Sequence, residues 1–259
     1  DAGVIWLKPF GGNSNNSLSI GCGMAPRLSY FDPKLMAYYS VDEAVRNVVV
    51  TGGNVEELCL LDNFCWPDPI VTGKNKDGEF KLGALVKTCQ GLSEITQVYG
   101  TPLVSGKDSM KNDFKGKNKK GEELKISILP TLLVTAVART PVSKITTSEF
   151  KNDKDFIYLL GHENKSFIGS ELNNIFELKD LSGAGEINLK KNYRLYKLIH
   201  QTLGKGIINS LHDLSDGGLM VAIAESCLGG NLGADISLEE NNLLTLFGEG
   251  AGQILASVN

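Results

Sequence analysis

The segment 212–218, His-Asp-Leu-Ser-Asp-Gly-Gly, combines an imidazole, two carboxylates and a hydroxyl with a pair of glycines. It runs directly into the apolar segment 219–226, which is typical of a helix. Carboxylates are hard oxygen ligands that suit Mg²⁺, and glycines let a backbone approach a phosphate at a helix N-terminus. The segment therefore indicates a site for a nucleotide and its metal. The simpler alternative is that Ser215 or Asp216 only caps the helix.

A second pair of oxygen donors lies in the first third of the chain. Glu43 and Asn47 are four residues apart in a predicted helix, so their side chains share one helix face. Mg²⁺ in proteins usually takes one or two carboxylates and leaves its other positions to water and phosphate. This pair is a candidate for such a site. The alternative is an exposed polar face on which Asp42 pairs with Arg46.

Two further polar clusters follow strand-like apolar runs. Asp62 and Asn63 end the run 58–61, and the segment 105–109, Ser-Gly-Lys-Asp-Ser, follows the run 101–104. A flexible backbone, a cation and hydroxyls are the parts of a phosphate site, although the spacing is not that of a Walker A loop. Ordinary turn chemistry explains both clusters equally well.

A third polar cluster joins residues 161–163 to residues 169–171, where Ser170 is a candidate N-cap. This cluster could bind an anion at a helix start, but capping alone also explains it. The three histidines of the chain lack the spacing of metal ligands. Neither a Ser/His/Asp nor a Cys/His nucleophile arrangement is supported by the order of residues.

The elements that must position these residues alternate between helix and strand, which predicts an α/β fold. Helices are predicted over 34–50, where Val41, Ala44, Val45 and Val48 have helical spacing, over 82–99, which Gly100 ends, and over 193–204. Strands are predicted over 58–61, 101–104, 128–138, 156–160 and 253–258. A polar, proline-bearing segment near 140–147 separates two parts. We therefore expect domains at 1–141 and 147–259. Because the chain stops inside a predicted strand, we expect the second domain to be incomplete.

Composition narrows the class of protein further. The chain has 259 residues, 42% of them hydrophobic and 22% charged, which is ordinary for one large or two average folded domains. A net charge of −4 offers no basic face for nucleic acid or an anionic membrane. Five scattered cysteines without a CxxC pair fit reduced thiols, and no apolar run reaches the roughly 18 residues of a membrane span. We expect a cytoplasmic protein.

Taken in order, six motifs resemble the second half of the phosphoribosylformylglycinamidine synthase family. These motifs are residues 42–47, 61–66, 105–109, 130–133, 169–171 and 212–218. They span essentially the whole chain, and their shared order is more specific than any single motif. The resemblance implies the fold of aminoimidazole ribonucleotide synthetase. In that fold an N-terminal α/β domain pairs its sheet with an equivalent domain, as a dimer or pseudo-dimer, and a C-terminal α/β domain packs beside it.

The resemblance also implies a reaction. Formylglycinamide ribonucleotide would be converted to formylglycinamidine ribonucleotide in de novo purine biosynthesis, with ATP activating the amide oxygen and glutamine-derived ammonia displacing phosphate. Mg²⁺ and backbone donors would neutralise the transferring phosphoryl group. The alternatives are a non-catalytic auxiliary module that binds ADP and Mg²⁺, and a phosphotransferase relative such as a selenophosphate synthetase or thiamine monophosphate kinase.

The resemblance also implies partners. The family's catalytic histidine lies in a His-Asn-His-Pro segment of the first half, which this sequence does not contain. No catalytic residue is therefore expected here, His212 keeps a structural role, and the fragment is expected to be inactive alone. The missing N-terminal half and a glutaminase subunit or domain would complete the enzyme.

Carried over position by position, the resemblance implies that Glu43, Asn47 and Asp213 are magnesium ligands. Ser215 would contact the nucleotide.

In the second strand-end cluster, the resemblance implies a nucleotide contact at Gly106 and a substrate contact at Ser109. Asp62 and Lys107 are further candidates for nucleotide contacts.

The family has a long single-chain form and a shorter form, and this chain departs from the shorter form at two positions. That form has asparagine where this chain has Lys107, and Thr-Asp-Cys where this chain reads Ile20-Gly21-Cys22, so one expected carboxylate ligand is missing. An ammonium group can replace a metal's charge but cannot coordinate a metal.

Overall fold

The computed structural model describes residues 1–73, 75–161, 165–178 and 186–259. The described residues form ten strands: β1 Gly3–Trp6, β2 Asn16–Met24, β3 Leu58–Cys65, β4 Leu103–Ser109, β5 Asp113–Lys117, β6 Glu123–Ser127, β7 Thr131–Pro141, β8 Phe156–Leu160, β9 Ile208–Asp213 and β10 Ile254–Val258. The helices are α1 Pro33–Val50, α2 Gly78–Tyr99, α3 Glu171–Phe176, α4 Leu189–Thr202, α5 Gly218–Gly230 and α6 Leu243–Phe247. None of these helices has both the length and the apolar character needed to cross a bilayer.

Two sheets and a ribbon organise the strands, and the predicted mixed α/β class is confirmed. The larger sheet has the order β1-β2-β7-β3-β4, in which only the β3–β4 pair is parallel within the described residues. The smaller sheet has the antiparallel order β8-β10-β9. Strands β5 and β6 form a separate antiparallel ribbon, and residues 118–122 connect them.

Helix α1 is the centre of the core. Asp32 caps its N-terminus by accepting the backbone N–H groups of Lys34 and Leu35. The apolar positions that predicted this helix are all fully buried: Val41, Ala44, Val45 and Val48. They belong to one hydrophobic cluster that also includes β3 and β7 side chains and reaches Tyr196, Ile199 and Leu211 in the second part of the chain. The two parts therefore share a core through α1.

Asp42 joins α1 to α2, to α4 and to the loop before β10. Its Oδ1 accepts hydrogen bonds from Tyr99 (2.5 Å), Asn192 (3.0 Å) and Tyr196 (2.8 Å). Its Oδ2 accepts from Arg46 (2.5 Å) and from the Gly252 backbone N–H (2.8 Å).

The predicted pairing of Asp42 with Arg46 therefore exists, but the expected exposed face is wrong. Both side chains are buried, because α2 and α4 cover this side of α1.

Strands β3 and β4 are longer than predicted. An ordinary turn was one of two interpretations of residues 105–109, but these residues continue β4 in parallel register with β3, where Asp62 lies opposite Gly106. Asp62 and Asn63 are likewise inside β3. Backbone pairing continues as far as the hydrogen bond from the Trp66 N–H to the Ser109 carbonyl. Ladder hydrogen bonds thus override the turn preference of these polar residues.

His200 on α4 forms a pH-sensitive contact between the two parts of the chain. Its Nδ1 lies 3.2 Å and 3.1 Å from the carbonyl oxygens of Gly52 and Gly53, and its Nε2 lies 3.1 Å from Lys144 Nζ. This arrangement suits the tautomer in which Nδ1 donates and Nε2 accepts from the ammonium group. Burial and the Lys144 charge hold the pKa of His200 below its usual value of 6.5.

We expect His200 to make the fold acid-sensitive. The unfolded chain takes up the proton first, so the contribution of His200 to stability is present above about pH 6.5 and is lost as the pH falls toward its lower folded-state pKa. Denaturant unfolding of the wild type and of His200→Gln at about pH 7.5 and about pH 5.5 measures this effect. The wild type should lose more stability than the variant. Equal losses in both proteins would contradict the prediction.

Candidate functional site

The loop between β9 and α5 carries the motif at 212–218. Gly217 (φ +79°) and Gly218 (φ +63°) both have left-handed backbone conformations that glycine adopts without strain. Helix α5 starts at Gly218 with Gly217 as its N-cap, so the interpretation of Ser215 or Asp216 as the cap is wrong. The Gly217 N–H instead donates to Glu249 Oε1 at 2.8 Å. Ser215 and Asp216 therefore do not cap the helix, and both line a cavity.

The structure brings Glu43, Asn47, Asp213 and Ser215 to the walls of one cavity of about 230 Å³. Glu43 Oε2 accepts the Met24 backbone N–H at 2.9 Å, and Asn47 Nδ2 donates to the Cys22 carbonyl at 3.1 Å. These bonds fix both α1 side chains against β2. The Asn47 Oδ1 atom is buried and has no hydrogen-bond partner among the described residues. A buried amide oxygen without a partner is costly unless a ligand or water completes it.

Asp1 is a member of this cavity that the sequence analysis missed. Ligand atoms of Asp1, His212 and Asp213 all lie within 4.8 Å of one another, close enough to share a metal ion. His212 Nδ1 is 3.1 Å from the Asp1 carboxylate, and His212 Nε2 is 2.9 Å from Glu225. Asp1 precedes an apolar strand and carries no local motif, so only its tertiary position reveals it. The donor set of carboxylates with an amide oxygen fits Mg²⁺.

The buried guanidinium of Arg46 contacts the segment that carries Asp213. Its guanidinium donates to the Leu214 carbonyl (3.1 Å) and to Ser215 Oγ (3.2 Å), and it lies 3.6 Å from Asp213. Burial alone would raise the pKa of Asp213, but hydrogen bonds from His212 and Ser215 and the charge of Arg46 hold it well below its usual range. Asp213 therefore stays ionised and able to hold a cation.

Two neighbours of Asp213 have raised pKa values. Burial raises the pKa of Glu43 to about 6, against the lowering effect of Arg46. Burial lowers the pKa of His212, but its hydrogen bonds to Asp213 and Glu225 outweigh burial and raise it overall. A divalent cation in the cavity would favour the ionised form of Glu43.

A second cleft of about 200 Å³ adjoins the first and shares Glu43, Ser215 and Asp216 with it. Its other lining residues are residues 24–28, Tyr39, Arg46, Ile168, Gly169, Glu171, Glu249 and Gly250. The expected N-cap is confirmed, since Ser170 Oγ accepts the Asn173 N–H at the start of α3. His162 and Glu163, which belong to the same sequence cluster, lie outside the described residues.

The structure does not bring the β3 and β4 candidates to these cavities. In the described ranges, neither cavity is lined by a residue of β3 or β4. Sheet register places Gly23, Val134, Asp62 and Gly106 in one row across four neighbouring strands. Gly106 is therefore three strand spacings, roughly 14 Å, from Gly23 beside Glu43.

Strand alternation also divides these candidates between two faces. Asp62 and Gly106 share the face covered by helices, and a Cβ on Gly106 would lie only 2.3 Å from Asp62 Oδ1. Lys107 and Ser109 point to the opposite, open face of the sheet. Ser109 Oγ is there within 3.1 Å of Asn112. The candidate contacts Asp62 and Gly106 therefore lie on the opposite sheet face from Lys107 and Ser109.

The glycine at position 21, where the family's short form was expected to have a carboxylate, has a packing reason. A Cβ at Gly21 would lie 2.9 Å from both the Ala44 carbonyl oxygen and the Asn47 Cβ. Helix α1 thus lies so close to β2 that an aspartate at this position would displace Asn47.

The chain combines a sheet domain with a smaller α/β domain, and a carboxylate-lined cavity lies between them. These features indicate the class of protein to which the chain belongs. The chain belongs to the AIR synthase related protein family: the model of the family's N-terminal domain matches residues 1–131, and the model of its C-terminal domain matches residues 155–257. The expected fold family is thereby confirmed.

Comparison with individual proteins shows which members of the family the chain resembles. The chain is 29% identical over 260 residues to the phosphoribosylformylglycinamidine synthase subunit PurL of Lactobacillus helveticus, and it spans 32% of that protein. The structure of T. maritima PurL complexed with FGAR matches with a TM-score of 0.70 at 16% identity, over the whole chain and 40% of PurL. A HypE-HypF complex structure matches with a TM-score of 0.59 at 15% identity, over 95% of this chain and 76% of the other. The chain therefore spans about a third of the curated relative that it resembles.

Proposed function

We propose that the chain binds a nucleotide with Mg²⁺ in the cavity between α1 and the β9–α5 loop. The observation that carries the proposal is the meeting of Glu43, Asn47 and Asp213 around one space, with the Asn47 Oδ1 atom buried and without a partner in the described residues. Asp213 is more than 160 residues from Glu43 and Asn47 in the sequence, so their approach is a property of the fold. The similarity in fold to T. maritima PurL complexed with ADP and with ATP adds support.

Within this proposal Glu43, Asn47 and Asp213 hold the metal, together with Asp1. Ser215 contacts the nucleotide, and Arg46 keeps Asp213 ionised. When bound, the metal would neutralise phosphate charge.

We further propose that the chain is part of an ATP-dependent ligase that forms formylglycinamidine ribonucleotide from formylglycinamide ribonucleotide. The curated PurL relative and the PurL structure with FGAR support this proposal. The partners are the remaining part of the protein and a glutaminase subunit or domain. The open face of the five-stranded sheet, which carries Lys107 and Ser109, would pair with an equivalent sheet in a dimer or pseudo-dimer. Domain limits at 1–141 and 147–259 remain part of the proposal.

The auxiliary-module alternative has one specific observation in its favour. Ser109, the candidate substrate contact, lies on the opposite sheet face from the helices that build the cavity. A single bound substrate could not reach both within this chain. A cavity that binds ADP and Mg²⁺ only to stabilise a catalytic half is therefore the second candidate function.

Calorimetry with Mg²⁺ and ADP tests the nucleotide site directly. We expect the chain to bind Mg·ADP and Asp213→Asn to bind at least about tenfold more weakly, an effect typical of groups that organise a bound metal. Asp108→Asn is the control, because Asp108 is an exposed carboxylate on β4 outside both cavities. Equal affinity of the wild type and Asp213→Asn would remove the assigned role of Asp213.

Joining the chain to its N-terminal half distinguishes the two functions. If the chain contributes to the active site, Ser109→Ala should lower ATP- and formylglycinamide-ribonucleotide-dependent ADP release with ammonia. If the chain is an auxiliary module, Ser109→Ala should leave that rate unchanged.

A further inference from the structure

Glu249 has no place in the site proposed above, yet it contacts both loops that form the second cleft. Its backbone is fixed to the segment before α3: the Ser166 N–H donates to the Glu249 carbonyl at 2.8 Å, and the Glu249 N–H donates to the Ser166 carbonyl at 3.0 Å. Its side chain contacts the starts of α3 and α5. The two backbone hydrogen bonds to Ser166 therefore fix the position from which the carboxylate reaches both helices.

A single carboxylate oxygen serves both helix starts. Glu249 Oε1 accepts the Glu171 N–H at the first residue of α3 and the Gly217 N–H at the N-cap of α5, each at 2.8 Å. The first N–H groups of a helix lack partners within the helix and need an acceptor from elsewhere. Because the N-cap of α5 is a glycine, it has no side chain with which to satisfy these groups.

The two loops tied by Glu249 carry the site. Gly217 lies two residues after Ser215 and four after Asp213, so its position sets where both side chains enter the cavity. Glu171 in turn forms an ion pair with Arg27 of the N-terminal domain at 2.5 Å. The β9–α5 loop, α3 and the N-terminal domain are therefore connected through the side chains of Glu249 and Glu171.

We infer that Glu249 is a positioning residue: its carboxylate holds the β9–α5 loop and the start of α3 in the arrangement that binds the metal and nucleotide. This inference rests on the proposed nucleotide site. The role depends on the position of the oxygen atom and not on its charge, because the N–H groups of Glu171 and Gly217 need only an acceptor. Burial, with Asp216 and Glu171 nearby, raises the pKa of Glu249 to about 7, so the surroundings disfavour a charge there.

The variants Glu249→Gln and Glu249→Ala separate geometry from charge. Glutamine keeps an oxygen acceptor for the two N–H groups and removes the repulsion with Asp216 and Glu171, whereas alanine removes the acceptor. By calorimetry we expect Glu249→Gln to bind Mg·ADP like the wild type and Glu249→Ala to bind at least about tenfold more weakly, as is usual when a group that orients metal ligands is lost. Glu239→Ala, which removes an exposed carboxylate nearby in sequence, is the matched control and should not change the affinity.

Amide hydrogen exchange at Gly217 and Glu171 gives a second measurement that does not depend on the nucleotide. Exchange should be faster in Glu249→Ala than in the wild type and unchanged in Glu249→Gln. Unchanged affinity in Glu249→Ala would overturn the inference, and so would a loss in Glu249→Gln as large as in Glu249→Ala. If the wild type fails to bind Mg·ADP, the proposed function fails. Exchange then still decides whether Glu249 positions the loop.

Discussion

Asp42→Ala should destabilise the fold by about 3–5 kcal/mol, the usual result of removing one partner of a buried ion pair. Asp42 accepts five hydrogen bonds within the described residues. Its loss would leave the Nη1 end of the buried Arg46 guanidinium without the carboxylate that now accepts its hydrogen bond. The hydroxyl groups of Tyr99 and Tyr196 would also lose their acceptor. Because these groups lie on α1, α2 and α4, the damage should reach both parts of the chain.

Urea unfolding of the wild type, Asp42→Ala and Asp42→Asn measures this effect. Asparagine keeps an acceptor oxygen but not the charge, so its loss should be smaller than that of alanine. Glu57→Ala is the control, because it removes the exposed ion pair with Arg139 and should change stability by no more than about 1 kcal/mol. A small effect of Asp42→Ala, similar to that of Glu57→Ala, would show that the buried network contributes little.

Gly23→Ala should have the second largest effect, with a loss of about 1–3 kcal/mol or more from overpacking. A Cβ at position 23 would lie 2.3 Å from the Ser40 carbonyl oxygen and 2.6 Å from the Ala44 backbone nitrogen. Both atoms belong to the backbone of α1, so the whole helix must shift away from β2. The same shift would move Glu43, whose Cβ would lie 2.9 Å from the added methyl group, and should weaken Mg·ADP binding.

Gly83→Ala is a matched control for Gly23→Ala. Gly83 is exposed inside α2, and an added Cβ would meet no atom of the described residues within 4 Å. Alanine is the better helix former, so this variant should gain up to about 1 kcal/mol in urea unfolding. If Gly23→Ala also gained stability, the close approach of α1 to β2 would not be the constraint that the geometry indicates.

Local patterns in the sequence predicted the elements well. The spacing of Val41, Ala44, Val45 and Val48 predicted the buried face of α1, and Gly100 correctly marked the end of α2 with a left-handed conformation. Helical periodicity and terminal glycines depend only on neighbouring residues. The order of the six motifs likewise indicated the family, since motif order is a property of the chain itself.

The ends of strands β3 and β4 could not be read from the sequence. The polar residues of 105–109 have turn preferences, and only pairing with β3 makes them a strand. That change has a large consequence, because alternation along a strand sends Gly106 and Lys107 to opposite faces. A set of candidates that looks contiguous in sequence is thereby divided in space.

The amino-acid sequence by itself determined the element types, the chemistry of the motif at 212–218 and the pairing of Glu43 with Asn47 on one helix face. Only the tertiary structure decided which of these groups meet. It added Asp1 and Glu249, placed Asp42 in a buried network and separated Ser109 from the cavity. The physical reason is that a metal or nucleotide site needs donors within a few ångströms. Such distances between residues far apart in the chain are set by how α1 packs on the sheet and on the β9–α5 loop.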